Sequence, residues 1–209
     1  RKELIEKTQL PFNKVLVIPH GNYLNTIPEN PPYSEARKYL GLPSGSPVLL
    51  FFGQIKKVKG LDLLLQALPH VVNKFPDLKL VVAGKVWKDD FSRYKKLILE
   101  NNLNNNVLLH IRYISDSEVP YFFNSADLVI LPYRKIYQSG VLLMAMSYGV
   151  PVLVSNLKGM TEVITEGENG FTFQSENPTD LRKSLIKILS KPELNKVIIE
   201  KAYESINQN

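Results

Sequence analysis

The chain has 209 residues, 44% of them hydrophobic and 22% charged, with a formal net charge of +6 and no cysteine. That is enough for one ordinary domain, or one and a half, with a sizeable core, and it excludes disulfides, thiolate zinc sites and a cysteine nucleophile. There is no long apolar run and no signal-peptide pattern, so neither a membrane-spanning helix nor export is expected, and the cytoplasm is the expected compartment.

The positive balance suits an anionic partner such as a nucleotide, a phosphorylated lipid or a nucleic acid. Lys and Arg are spread over nearly every predicted helix, without the aromatic-interleaved basic stripe of nucleic-acid binders. Most of them read as solvated faces, and nucleic acid is not expected.

Residues 1–44 read as an interdomain strand and linker. A short strand at Val15–Ile18 runs into the turn signal Pro19-His20-Gly21, and a stretch dense in Pro, Asn and Ser surrounds a short helix near Ser34–Leu40. From 45 to 209 the pattern settles into alternation. Strands are predicted at Val48–Phe52, Leu78–Ala83, Val107–Ile111, Asp127–Leu131, Val152–Val154 and Gly170–Phe173. Between the first two, Leu61, Leu64, Leu65, Leu68, Val72 and Phe75 fall three and four apart, the spacing of one helix face. Further helices are predicted at Phe91–Asn101, Asp116–Asn124, Gly140–Tyr148, Pro178–Leu189 and from Pro192 onward. Strands that are apolar throughout and alternate with helices predict an α/β fold: a Rossmann-like parallel sheet with helices on both faces. Ligands of such sheets bind beyond the carboxyl ends of the strands.

The loops at those ends therefore hold the candidate site. The first strand runs into Gly53-Gln54-Ile55-Lys56-Lys57-Val58-Lys59-Gly60, a glycine-bounded basic loop suited to wrapping a diphosphate, though it matches neither a dinucleotide fingerprint nor a P-loop. The second strand ends in Gly84-Lys85 and the third in Arg112-Tyr113. The fourth leads through YRKIYQSG onto a helix whose first turn leaves backbone N–H groups unpaired at the positive end of the dipole, a ready anion site. There Gly140 removes the Cβ where a ligand would approach, and Ser139 either caps the helix or donates its hydroxyl. An ordinary Ser-capped helix fits this stretch as well as a phosphate site does.

Several residues carry a plainer reading. His20, His70 and His110 lack metal-ligand spacing. Asp89-Asp90 reads as a cap before Phe91, Asp116 to Glu118 as a helix start, and Glu162 as either a cap or a sugar contact. Ser139 lacks the frame of a hydrolase nucleophile. Tyr133, Tyr137 and Tyr148 read as packing residues, with Tyr137 the one to face the cleft.

In order and spacing, the segments FFGQIKKVKGLDLLLQAL, FPDLKLVVAG, NNVLLHIRYISDSEVPYFFNSADLVILPY and QSGVLLMAMSYGVPVLVSNLKGMTEVITEGENGFTF resemble the C-terminal, donor-binding half of GT-B-fold glycosyltransferases. The resemblance is to the retaining group 1, also called family 4, and covers nearly the whole chain. It implies hexose transfer from a nucleoside-diphosphate sugar to a saccharide or lipid-linked acceptor held by a missing N-terminal half. It also implies that this piece alone is inactive, that neither cofactor nor metal is needed, and that the enzyme touches the inner face of the membrane peripherally.

The donor-binding residues that the resemblance implies are Gly53, Gln54, Lys56, Lys59, Arg112, Gln138, Ser139, Gly140 and Val141. Lys59 fits the family's lysine position, whereas Gln54 stands at its arginine position with Lys56 as a charge substitute. Two glutamates usual in the family are replaced by Ile136 and Met144, and no catalytic residue is assigned. The rival readings are a nucleotide-sugar epimerase-like enzyme of the same fold and a non-catalytic binding domain.

Overall fold

The computed structural model describes residues 2–16, 18, 20–26 and 30–207. Its helices are α1 (Lys2–Thr8), α2 (Tyr33–Tyr39), α3 (Leu61–Lys74), α4 (Ser92–Glu100), α5 (Val119–Asn124), α6 (Gly140–Ser147), α7 (Lys158–Thr161), α8 (Pro178–Leu189) and α9 (Leu194–Asn207). The strands are β1 (Val48–Phe52), β2 (Lys79–Ala83), β3 (Val107–His110), β4 (Leu128–Leu131), β5 (Val152–Ser155) and β6 (Phe171–Phe173). All six lie parallel in one sheet of order β3-β2-β1-β4-β5-β6.

This order fixes where a ligand can sit. The chain builds outward from β1 through β2 to β3, returns to the other edge of β1, and builds the opposite way through β4, β5 and β6. The direction reverses between β1 and β4, whose register pairs Leu49 with Leu128. The loops leaving those two strands part to opposite faces and open a crevice at their carboxyl ends.

The continuous apolar runs follow from burial on both faces. In β1, Leu49 and Phe51 enter the core formed with α3, α4 and α8, while Val48 and Leu50 enter the core formed with α5, α6 and α9. Leu64, Leu65 and Leu68 of α3 are fully buried in the first core, each contributing roughly 1.5–3 kcal/mol by removal from water. Helix α6 packs nearly all round: Leu142, Ala145 and Met146 are buried, and Val141, Leu143 and Met144 lean on the same core. That explains why its sequence reads as apolar rather than amphipathic.

Helix α2 lies in the segment expected to be linker, yet it is tied to the sheet. The buried Arg37 guanidinium reaches the Asp127 carboxylate at 2.7 Å and donates to the Ser46 carbonyl at 2.7 Å, and Asp127 also accepts from the Val48 N–H at 2.7 Å. The strand expected over Val15–Ile18 falls partly on Val17, and the turn after it on Pro19, both outside the described residues. In its described part Val15 is buried, but Leu16 and Ile18 are exposed and no strand forms.

The helix starts predicted at Phe91, Asp116 and Pro192 move to Ser92, Val119 and Leu194. The Glu118 carboxylate turns back to accept from the Ser115 N–H and hydroxyl, so 116–118 form a turn and α5 begins at Val119. Asp90 accepts from the Ser92 N–H at 2.9 Å and from the Ser92 hydroxyl, closing a turn before α4, which begins at Ser92 with Phe91 at its N-cap and no side-chain cap bond. Helices α1 and α7 escaped prediction. Seven and four residues long, they carry too few turns for a periodic pattern. Among the described residues no helix is long and apolar enough to cross a membrane.

Candidate functional site at the switch point

The first loop is pressed onto its neighbours by two glycines. Gly60 adopts φ +70°, and a Cβ there would lie 1.8 Å from the Pro132 carbonyl oxygen, so only glycine lets the loop approach the end of β4. Gly53 adopts φ +104°, and a Cβ there would come within 3.3 Å of Val141 at the start of α6. Two predicted site residues from distant parts of the sequence therefore meet.

Across the crevice, Arg134 locks the β4 loop to the first loop. Its guanidinium grips both carboxylate oxygens of Asp62 at 2.7 and 2.8 Å and donates to the Lys57 carbonyl at 2.9 Å. Burial alone would push the Asp62 carboxyl up, but the Arg134 contacts outweigh it and hold it below its ordinary range. With its charge spent on Asp62, Arg134 is a structural clamp.

The neighbouring lysines are different. Lys56, Lys59 and Lys135 line one opening of about 350 Å³ together with Ile136, Tyr137 and Gln138, and among the described residues none of the three has a carboxylate partner. The Lys59 ammonium lies 3.6 Å from the centre of the Tyr133 ring, a cation–π contact. Burial, reinforced by the charge on Lys56, lowers its pKa to about 8. A half-buried cation beside a second cation, without a counter-ion, is arranged for an anion.

A second cavity of about 360 Å³ opens at the start of α6, lined by His20, Asn22, Gln138, Ser139, Gly159 and Glu162 among others. Gln138 belongs to both cavities. Ser139 is extended, with φ −130°, and its hydroxyl oxygen accepts from the Leu142 N–H at 3.2 Å, the cap that a serine there predicts. The Tyr133 hydroxyl lies buried nearby without a hydrogen bond of ordinary geometry. Burial drives it far above the usual phenol range, opposed by the Ser139 side chain. A third, more apolar cavity of about 260 Å³ is framed by Gly53, Gln54, Gly84, Lys85, Trp87 and Tyr113, and both aromatic rings are exposed.

The predicted site residues thus divide among three spaces: Gly53 and Gln54 in the apolar one, Lys56 and Lys59 in the basic one, and Ser139 in the polar one. Gln138 borders two of them, while Gly140 and Val141, in the first turn of α6, line none of the three. Arg112 also stands outside them. Its guanidinium is held by the Glu118 carboxylate and the Tyr113 carbonyl, and it lines none of these three cavities. Ile136 and Met144 pack against the apolar core, as expected of positions without a carboxylate. Glu162 ends α7 and turns its carboxylate toward Lys158 and the polar cavity.

Sequence reasoning missed Lys135, Trp87, Tyr113 as a cavity wall, and the whole of 20–24. That segment is anchored by the Tyr23 N–H donating to the Ser147 hydroxyl at 3.1 Å and by the Asn22 amide donating to the Ile206 carbonyl at 2.8 Å. The only local sequence signal for it is Pro19-His20-Gly21, a pattern that indicates a turn and no more. The three histidines are far from one another in role. His20 lines the polar cavity, His70 is exposed on α3, and His110 packs edge-on against Phe122. Among the described residues no metal-ligating cluster forms.

Residues 33–205 match the family described as glycosyl transferases group 1. The chain belongs to that family. It is 31% identical over 169 residues to spore coat protein SA of Bacillus subtilis, covering 76% of this chain and 43% of that protein. It is 29% identical over 199 residues to the D-inositol 3-phosphate glycosyltransferase of Thermobispora bispora, covering 92% of this chain and 46% of that protein. The chain spans about half the length of the curated relatives it matches. Its fold is that of a solved Anabaena protein, HepE, crystallised with UDP, with TM-score 0.87 at 21% identity over 99% of this chain and 56% of the other.

Proposed function

We propose that this chain is the donor-binding half of a group 1 glycosyltransferase, which moves a hexose from a nucleoside-diphosphate sugar to a saccharide or lipid-linked acceptor with retention at the anomeric carbon. The observation that carries this reading is the opening at the switch point where Lys56, Lys59 and Lys135 converge without a carboxylate partner among the described residues. The nucleoside diphosphates and sugar in the HepE crystals, UDP with glucose and UDP-glucose, support the ligand class.

In this reading the diphosphate lies against the lysines and the first turn of α6. As the bond to the anomeric carbon breaks, negative charge grows on the departing diphosphate, and fixed cations with aligned N–H groups stabilise it without reorganising. The chain supplies that charge from its own side chains, and we propose that no metal is needed. Trp87 and Tyr113 offer exposed aromatic faces to the nucleobase across the apolar cavity. The acceptor is held by a second half, consistent with the share of its relatives that this chain spans.

Thermal unfolding with UDP-, GDP- and ADP-sugars tests the reading. A bound donor at about 100 times its dissociation constant adds roughly 2.7 kcal/mol, a rise of about 5–10 °C for a chain of this size. No shift with any of the three, and none with the free nucleoside diphosphates, would overturn it.

A further inference from the structure

His20 belongs to the segment read from sequence as a linker, yet it stands at the mouth of α6. Its Nδ1 lies 2.8 Å from the Gly21 carbonyl oxygen. A carbonyl only accepts, so Nδ1 carries the proton, and Nε2 of the neutral ring is left as an acceptor. That atom faces the helix start: a Cβ on Gly140 would lie 3.4 Å from it and 2.9 Å from the Tyr23 hydroxyl. The ring is steadied by Tyr23, centroid to centroid 5.8 Å, and Tyr23 is itself tied to the end of α6 through Ser147.

The cavity before His20 holds Gln138, Ser139 and Glu162 on its other walls. Amide, hydroxyl, carboxylate and imidazole provide both donors and acceptors, the mixture that hydroxyl groups satisfy. Glu162 disfavours phosphate on this side, and the lysines across Gln138 favour it on theirs. A cavity of about 360 Å³ also falls in the range of small-ligand sites.

Resting on the donor-binding reading above, we propose that His20 is a sugar-contact residue, whose Nε2 accepts a hydrogen bond from a hydroxyl of the donor sugar. The segment preceding the sheet thereby takes part in choosing which sugar is transferred.

The test is calorimetric, on the full 209-residue chain, with UDP-glucose, GDP-mannose and ADP-glucose each compared with its free nucleoside diphosphate. His20→Asn keeps a donor for the Gly21 carbonyl and leaves no acceptor at the Nε2 position. For the pair the parent binds, its affinity for the nucleotide sugar is expected to fall roughly 3- to 10-fold, the scale of one neutral hydrogen bond, with the free nucleotide unchanged. His20→Gln, which carries an oxygen near the Nε2 position, retains most of the sugar's contribution. The proposal fails if His20→Asn binds both ligands as the parent does, or loses both in equal proportion. If the parent binds no nucleoside diphosphate at all, the donor reading falls first and this one with it.

Discussion

On one side of Gln138 three lysines face an opening in whose walls no described residue is a carboxylate; on the other, Glu162 with His20, Gln138 and Ser139 faces a cavity in whose walls no described residue is a lysine. The two spaces adjoin, have nearly equal volumes, and differ in charge. A ligand with one anionic and one hydroxylated half gains from only one orientation, because reversing it brings phosphate to Glu162 and strands the lysines. The contrast teaches that orientation is set by how the two loops divide their charges. Arg134 shows the same economy, since its cation is cancelled by Asp62 and serves only to hold the loops together.

The largest expected effect comes from parting those loops. Gly60→Ala places a Cβ against the Pro132 carbonyl at a left-handed φ, and should cost about 3 kcal/mol or more in urea unfolding. Parent-like stability would mean that the first loop is not pressed on the end of β4. Next, Lys59→Ala should weaken nucleoside-diphosphate binding by roughly 1.5–3 kcal/mol, the scale of a charge-assisted hydrogen bond. The additional affinity contributed by the sugar should stay as in the parent. Equal binding of the free nucleotide by variant and parent would remove the charge half of the comparison.

The same lysine gives a pH signature with two signs. Burial lowers its pKa from 10.5 to about 8, so between those values the unfolded chain holds a proton that the folded chain has released, and ligand-free stability rises with pH across the window. An anion needs that proton in place, so nucleotide affinity should fall as pH rises through about 8, and Lys59→Ala should flatten both trends. Smaller still, Gln138→Ala should cost roughly 0.5–1.5 kcal/mol in nucleotide-sugar affinity, and its partition between nucleotide and sugar tells which cavity the amide serves. Met144→Leu marks the bottom of the scale. It should cost under about 1.5 kcal/mol in stability and leave donor affinity unchanged, because position 144 packs in the core. A loss of ligand there would move the site.

Strand positions were legible because burial on both faces makes runs such as Val48–Phe52 apolar throughout, and their shortness, their β-branched and aromatic residues and the polar loops around them separate them from a buried helix. The Ser139 cap was legible for a comparably local reason: its partner is only three residues on. The gathering of Lys135 with Lys56 and Lys59 was not, since it depends on β4 lying next to β1, a pairing between residues about eighty apart in sequence. Nor was the fate of Arg112, whose charge is consumed by a carboxylate that a turn at 115–118 brings back to it.

The parallel α/β architecture, the location of the loops at the strand ends and the cap of α6 follow from local pattern, because periodicity, burial and capping act over a few residues. Which cations lack a carboxylate partner among the described residues, which aromatic rings line a cavity, and that His20 from the first segment stands near Gly140 follow from the fold alone. Charge pairing and cavity walls are made by residues far apart in the chain, whose meeting depends on strand order and loop closure rather than on local pattern.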